Sequence, residues 1–177
     1  EWPGVPSIQF DRQNAAYQAT HHLVMTGHQH IAYIGPEDKR LLGYHQALWE
    51  AGLTADEALV QYAADALFGS ECCERILRTG QQIDAICGGT DEVSLGVLHC
   101  LYRHGLRVPH DLAIASIDNL DISAFTIPAL TTVDVPKRDI GLHAIEILTL
   151  ETPRRGAGAY AVTVPTQLIV RESSPLR

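Results

Sequence analysis

Apolar and polar positions follow two patterns along the chain, one typical of strands and one typical of helices. Runs rich in β-branched residues predict strands over residues 5–10, 31–35, 59–63, 84–89, 111–117, 130–135 and 161–170. Between most of these runs, apolar residues recur every three or four positions, which predicts helices after Asp11 and over residues 39–51, 70–79, 92–104 and 136–150. Such alternation predicts an α/β fold in which helices sandwich a parallel sheet.

Polar residues and glycines follow several of these predicted strands. Asp118 and Asn119 come directly after an apolar run, and Gly89-Thr90-Asp91, Gly35-Pro36 and Ala63-Ala64 occupy equivalent places. Because parallel α/β sheets bind ligands beyond the carboxyl ends of their strands, the pattern predicts a small-molecule cleft there. The alternative for Asp118-Asn119 is an ordinary turn, with Asp118 capping a helix over residues 120–126.

Composition and charge exclude several classes of function. A net charge of −8 argues against these residues binding nucleic acid themselves. No apolar run approaches the roughly 20 residues of a membrane helix, and no secretory signal is visible, so we expect no membrane contact. The cysteines lack the spacing of metal ligands and are interpreted as reduced thiols of a cytoplasmic protein: Cys72, Cys73, Cys87 and Cys100.

Catalytic and metal chemistry find no support in the motifs. The histidines in THH (20–22) and GHQH (27–30) are better explained as solvated or capping residues than as metal ligands. No nucleophile–base pair or cofactor loop is visible, and Asp91-Glu92 would repel a phosphate from the glycine turn before them. We therefore expect a binding protein without metal or cofactor, and not an enzyme.

Four longer stretches carry a family resemblance. They are GHQHIAYIGPEDKRLLGYHQALWEAGL (27–53), DAICGGTDEVSLGVLHCLYRHGLRVPHDLAIASIDN (84–119), IPALTTVDVP (127–136) and PTQLIVRES (165–173). In this order they resemble the LacI/GalR family of bacterial transcription regulators. The resemblance covers nearly the whole chain, although each motif alone would be weak.

The resemblance implies an effector-binding region with the fold of type I periplasmic sugar-binding proteins. Two α/β lobes would close on a ligand, a sugar above all, and the chain would cross between them near residues 10–11, 119–130 and 154–160. Residues 11–118 and 155–177 would form the C-terminal lobe, and residues 1–10 and 128–153 would belong to the N-terminal lobe. The family's N-terminal helix-turn-helix domain, which binds operator DNA, is absent from these 177 residues.

A homodimer is also implied, with contacts from the helix over 92–104 and from Leu120, Ile122 and Phe125. The predicted helix over 136–150 is apolar nearly all round, which is typical of a helix packed inside a larger body. We therefore expect these residues alone to self-associate or to be poorly stable. The alternative to a regulator is a periplasmic-type sugar receptor without DNA binding. The reduced cysteines and the stretch GLRVPHDLAIASIDN argue against it.

The resemblance also assigns effector-binding residues. Asp118 matches the family's ligand-contacting aspartate, whose carboxylate can accept hydrogen bonds from vicinal hydroxyls. Arg40 matches the cleft arginine of R-x-x-G-Y, against the alternative of a surface ion pair with Glu37 or Asp38. Thr90 stands where the family often has Asn. Asp91 matches a family aspartate, but we interpret it as a helix cap rather than as a ligand contact.

Two departures from the family leave the effector unidentified. The loop between Pro36 and Arg40 is several residues shorter than usual. Where the family commonly has an aromatic residue that stacks on the ligand, this chain has Ala64, with Tyr62 and Phe68 nearby. Losing a stacked ring removes roughly 0.5–1.5 kcal/mol beyond its buried area, so Tyr62 or Phe68 substitutes for it, or the ligand is larger or bound more weakly.

Overall fold

The structure, a computed structural model, describes residues 6–149 and 161–176. Its strands are β1 (Ser7–Phe10), β2 (Ile31–Gly35), β3 (Val60–Tyr62), β4 (Ala85–Gly88), β5 (Ala113–Asp118), β6 (Thr131–Asp134), β7 (Ala161–Val164) and β8 (Gln167–Ile169). Its α-helices are α1 (Arg12–Met25), α2 (Lys39–Glu50), α3 (Ala66–Thr79), α4 (Asp91–Arg103) and α5 (Lys137–Thr149). Two 3-10 helices cover Glu57–Leu59 and Asp121–Ala124.

Six strands form the main sheet, in the order β3-β2-β4-β5-β6-β8. All neighbouring pairs are parallel except β6 with β8. Successive residues of β2 point to opposite faces, so Tyr33 packs with α1 and α2 while Ile34 packs with α3 and α4. The predicted sandwich of helices around a mostly parallel sheet is therefore confirmed.

Polar side chains begin the helices of the main sheet. Asp11, Asp38 and Thr90 accept a hydrogen bond from a backbone amide in the first turn of α1, α2 and α4. The predicted start of α3 at Ser70 is wrong, because Asp65 accepts from the amide of Phe68 and the helix begins at Ala66. The predicted final strand over 161–170 is interrupted at Pro165 and Thr166, and its halves join different sheets.

A second, two-stranded sheet pairs β1 with β7 in parallel, and α5 contacts β1. The chain passes between the two sheets from Phe10 to Arg12, from Asp134 to Lys137 and from Val164 to Gln167. None of the described α5 residues is buried, whereas α4 buries seven. The apolar α5 side chains Leu142, Ile145 and Leu148 are exposed among the described residues, and the expected self-association stays a prediction.

This topology corrects the expected division into lobes. β6 lies beside β5 in the main sheet, so the assignment of residues 128–135 to the other lobe is wrong. Residues 119–130 do not cross between lobes, because they lead directly from β5 to its neighbour and Leu130 donates its amide to the carbonyl of Ser123. β7, expected in the C-terminal lobe, pairs with β1 instead. The predicted crossing at 154–160 lies outside the described residues.

Candidate functional site

Five parallel strands of the main sheet end on the same side, which we call the carboxyl end of the sheet. The register places Gly35 beside Tyr62 and Asp118 beside Asp134, and β4 ends next to β2 at Gly88. The residues predicted from the sequence lie at the ends of these strands or in the loops and first helical turns that follow them: Arg40, Tyr62, Ala64, Thr90, Asp91 and Asp118. The structure therefore gathers the predicted site residues at one end of one sheet.

Backbone atoms form the centre of the carboxyl end of the sheet. A side chain at Gly35 would lie 2.6 Å from the Cα of Gly89, so the loops after β2 and β4 touch without room for a methyl group. The Gly89 amide donates to the carbonyl of Ile34 at 2.8 Å, and the buried Tyr33 hydroxyl donates to the carbonyl of Pro36 at 2.8 Å. These contacts fix the two loops against each other.

Arg40 lies in the first turn of α2 and is only 8% exposed. Its Nη1 donates to Asp38 Oδ2, and its guanidinium carbon lies 5.8 Å from the ring centroid of Phe10. Among the buried side-chain nitrogen and oxygen atoms of the described residues, Arg40 Nε is the one without a hydrogen-bond partner. Arg40 therefore forms the ion pair with Asp38, but it is a buried side chain and its Nε has no hydrogen-bond acceptor among the described residues.

Asp118 ends β5 with a positive φ of 118°, and its side chain is half-buried. Burial raises the pKa of its carboxyl group to about 6, and the negative charge of Asp91 adds to the rise. The positive charges of Arg40 and Lys137 oppose this rise. The alternative that Asp118 caps a following helix is wrong, since Leu120 precedes the short 3-10 helix and no side chain caps it.

The side chain and amide of the next residue, Asn119, are held by three other side chains. Its φ is 50°, a left-handed conformation that Asn tolerates better than most residues. Its Nδ2 donates to Asp134 Oδ1 at 2.8 Å, and its Oδ1 accepts from Arg171 Nη2 at 2.7 Å. Its amide donates to Thr132 Oγ1 at 3.2 Å. The turn after β5 is thereby fixed to β6 and to the residues after β8.

Asp91 is fully buried and connects three segments of the chain. Its Oδ1 accepts from Thr132 Oγ1 at 2.6 Å, and its Oδ2 accepts from the amide of Leu120 at 2.9 Å and from Ser123 Oγ. The interpretation of Asp91 as a helix cap is wrong, because the cap is Thr90. Asp91 instead holds the residues after Asp118 against the start of α4.

The remaining predicted residues line the outer part of the surface. Thr90 is partly exposed, and its Oγ1 accepts from the amide of Val93 at 3.2 Å. Ala64 is exposed, and the rings of Tyr62 and Phe68 are 47% and 49% exposed. The structure thus leaves two aromatic side chains close in sequence to the position where the family has its stacking ring.

Phe10 was missed by the sequence analysis. It ends β1, and its ring lies below two guanidinium groups, with the Arg12 carbon 5.0 Å and the Arg40 carbon 5.8 Å from the ring centroid. The available signal was its place at a strand end, the same signal that singled out Asp118. Phe10 brings a residue of the small sheet into contact with a side chain of the carboxyl end.

Lys137 was also missed. Its Nζ donates to the carbonyls of Asp118 and Asn119, although it belongs to the first turn of α5. A positive charge at a helix N-terminus is disfavoured by the helix dipole, so its position in the sequence was a signal of another role. Phe10 and Lys137 are the contacts through which the two sheets meet at this site.

Comparison with known proteins places these features in a family. A family model described as a periplasmic binding protein-like domain matches residues 20–174. The chain belongs to the periplasmic binding protein-like family. The HTH-type transcriptional repressor CytR of Escherichia coli (strain K12) is 34% identical to this periplasmic binding protein-like chain, over 96% of the chain and 52% of its own length. The chain spans about half the length of the curated relatives it matches.

Two solved structures share the fold of this periplasmic binding protein-like chain closely. The transcriptional regulator CelR in complex with cellobiose is 31% identical with a TM-score of 0.89, and the match covers 96% of our chain and 54% of CelR. A LacI family transcriptional regulator from Mycobacterium smegmatis is 33% identical with a TM-score of 0.87, over 97% of our chain and 66% of its own. The resemblance to LacI-family regulators is confirmed, and the chain corresponds to their C-terminal effector-binding region. Among the described residues, no helix has the length and apolar character to cross a bilayer.

Proposed function

We propose that this chain is the sugar-binding part of a cytoplasmic, ligand-responsive transcriptional repressor. The observation that carries the proposal is the buried Arg40, whose Nε lacks a partner, at the same end of the sheet as the half-buried carboxylate of Asp118. A buried donor without a partner costs about 1–3 kcal/mol, and a ligand oxygen that accepts from it recovers that free energy.

Sugars match this pair of groups. The ionised Asp118 carboxylate accepts hydrogen bonds from neighbouring hydroxyls, while Arg40 donates to a ring or hydroxyl oxygen. Tyr62 and Phe68 provide exposed rings for the apolar face of a sugar, and Thr90 provides a hydroxyl. Asp91 has no place among the ligand contacts, because its oxygens are already occupied; it positions Asp118 and the turn that follows.

Three segments join the main sheet to the small sheet, and a change in the arrangement of these two bodies would link ligand binding to DNA binding. A ligand that contacts both bodies stabilises their closed arrangement, and only such differential binding shifts the population. The shift would change the affinity of a DNA-binding domain N-terminal to these residues for its operator. A homodimer would form through α4 and the segment after Asp118, where Ile122 and Phe125 are 50% and 79% exposed.

The test uses the whole protein that contains this chain. We would measure its melting temperature with a panel of mono- and disaccharides that includes cellobiose, and then titrate any hit by calorimetry. We expect at least one sugar to raise the melting temperature and to change binding to a selected operator fragment. A panel in which no sugar binds would contradict the sugar effector. A sugar that binds without any effect on DNA would contradict the regulator and favour a receptor.

A further inference from the structure

A second cluster of polar side chains lies far from the carboxyl end of the sheet, between α3 and α4. Glu74 lies on α3, Cys100 lies in the last turns of α4, and His104 follows that helix directly. One potential ligand atom from each of the three lies within 4.8 Å of the other two. His104 Nε2 is 2.6 Å from Glu74 Oε2, and Cys100 Sγ is 3.9 Å from the same oxygen.

The packing of the two helices explains why these side chains meet. A side chain at Gly96 would lie 1.8 Å from the carbonyl oxygen of Ala66, and one at Gly69 would lie 2.4 Å from that of Val93. Such close approach at two glycines holds α3 and α4 together along their length, so that residues one or two turns further on share a space. Residues four apart on a helix lie on one face, and the spacing CLYRH (100–104) provides the thiol and the imidazole in this way.

We propose that Glu74, Cys100 and His104 form a binding site for a thiophilic divalent cation such as Zn²⁺. Thiolate, imidazole and carboxylate are the groups that bind Zn²⁺ in proteins, at about 2.0–2.3 Å, and three protein ligands with one open position are a known arrangement. Ligand atoms at those bond lengths stand roughly 3.2–3.7 Å apart in a tetrahedron. Small side-chain rotations widen the 2.6 Å contact and shorten the 3.9 Å contact to that range.

The orientation of the carboxylate supports the site. Arg78 donates from Nε and Nη2 to Glu74 Oε1, at 3.2 and 3.0 Å. This pair occupies Oε1, while Oε2 lies near Cys100 and His104. Hydrogen-bonding partners of this kind orient ligating carboxylates in known metal sites.

The cation site is distinct from the proposed sugar site. α4 follows its cap Thr90, which belongs to the carboxyl end of the sheet, and its thirteen residues separate that end from His104 by roughly 20 Å. Cys100 is 2% exposed, while His104 reaches the surface and leaves the fourth position open to water. A bound ion would tie α3 to the far end of the helix that begins at the sugar site.

The test is a titration of the whole, reduced protein with Co²⁺, which replaces Zn²⁺ and gives a near-ultraviolet charge-transfer band when a thiolate binds it. Cys100→Ser removes the thiolate, and His104→Gln removes an exposed ligand without disturbing the core. Cys87→Ser, another buried cysteine, and His99→Gln, an exposed histidine of α4, are the matched controls.

We expect one equivalent of Co²⁺ with a charge-transfer band that Zn²⁺ abolishes. The band is lost in Cys100→Ser, affinity falls roughly 100-fold in His104→Gln, and both controls behave as the wild type. Absence of the band at stoichiometric Co²⁺, or its persistence in Cys100→Ser, would overturn the proposal. Equal weakening by His104→Gln and His99→Gln would overturn it as well, and that comparison does not depend on the stability of Cys100→Ser.

Discussion

The ends of β5 and β2 lie on the same side of the sheet, yet the polar groups at the two ends differ in whether they have hydrogen-bond partners within the protein. Beside the end of β5, Asp91 accepts three hydrogen bonds and Asn119 takes part in four. At the end of β2, Arg40 is nearly as buried but keeps an unpartnered Nε. The polar groups of the first region are satisfied by the protein itself, whereas the second keeps one donor that a ligand would complete under the proposed function. We therefore expect substitution of Asp91 to lower stability and substitution of Arg40 to lower ligand affinity.

The largest effect is expected from Asp91→Ala. The change leaves the amide of Leu120 and the hydroxyls of Ser123 and Thr132 without their acceptor in a buried place. We expect the free energy of unfolding, measured with urea, to fall by about 3 kcal/mol or more.

The matched control is Asp111→Ala. Asp111 also accepts three hydrogen bonds, all from Arg107, but both side chains are exposed. Its loss should affect stability far less. Equal destabilisation by the two substitutions would mean that burial at Asp91 does not matter and would remove the contrast between the regions.

Arg40→Lys should have the next largest effect, on affinity. Lysine keeps the charge but lacks the Nε donor and the planar fork. In the whole protein we expect the affinity for the sugar identified in the panel to fall about 100-fold, which corresponds to about 2.7 kcal/mol. Calorimetry measures this change directly. Arg107→Lys, which alters a forked ion pair before β5, should leave the affinity unchanged. An unaltered affinity in Arg40→Lys would disprove its role.

Asp118 predicts a pH dependence of sugar binding. Because its pKa is raised to about 6, the carboxylate that accepts hydroxyl bonds is mostly protonated at pH 5. We expect affinity to fall roughly tenfold between pH 7 and pH 5. Asp118→Asn should bind more weakly at pH 7 and should lose this pH dependence. A wild-type affinity that stays constant over this range would contradict the role of the ionised form.

The same pKa predicts an effect on stability, with a definite sign. The folded pKa of about 6 lies above the ordinary aspartate value of 3.8, so folding favours the protonated carboxyl group. Its stabilising contribution is complete below pH 3.8 and is lost as the pH rises through about 6. Asp118→Asn should therefore gain stability relative to the wild type as the pH rises from 4 to 7, as measured by urea unfolding. A difference that shrinks with rising pH would contradict this sign.

The smallest effect is expected from Thr90→Ala. The substitution removes the acceptor for the amide of Val93 at the start of α4 and should destabilise the protein by about 1 kcal/mol. Thr90→Ser keeps the hydroxyl and should retain most of the stability. If both substitutions lower the stability equally, the loss of the methyl group rather than the loss of the capping hydroxyl explains the destabilisation.

Local patterns were sufficient to predict most elements but not every neighbour in the sheet. The apolar run of β6 is buried, and a buried run does not indicate which sheet it joins. Its place beside β5 depends on pairing with residues 115–118 and on the return of β8. The start of α3 was misplaced because Ser70 and Asp65 both have side chains suited to capping, and the sequence does not rank them.

The candidate site shows the same limit. Arg40 and Asp118 stand next to strand ends, so their position at one end of the sheet could be predicted from the parallel arrangement of the strands. The partners of Asp91 come from residues 120, 123 and 132, and the sequence gives no sign of those pairings. The same holds for Glu74, which meets Cys100 and His104 only because α3 and α4 pack together.

Arg171, which follows β8, donates to the side chain of Asn119 and also to the carbonyl of Leu130. Ser173 adds a bond from its amide to the carbonyl of Ala129. A ribosome delivers residues 171 and 173 long after residue 119, so the turn beside Asp118 gains these last contacts only near the end of synthesis. Helices α1 to α4 can form early, but the turn at the proposed sugar site is complete only when these late residues have emerged. We therefore expect a nascent chain to reach its full sugar affinity only after its synthesis has passed Ser173.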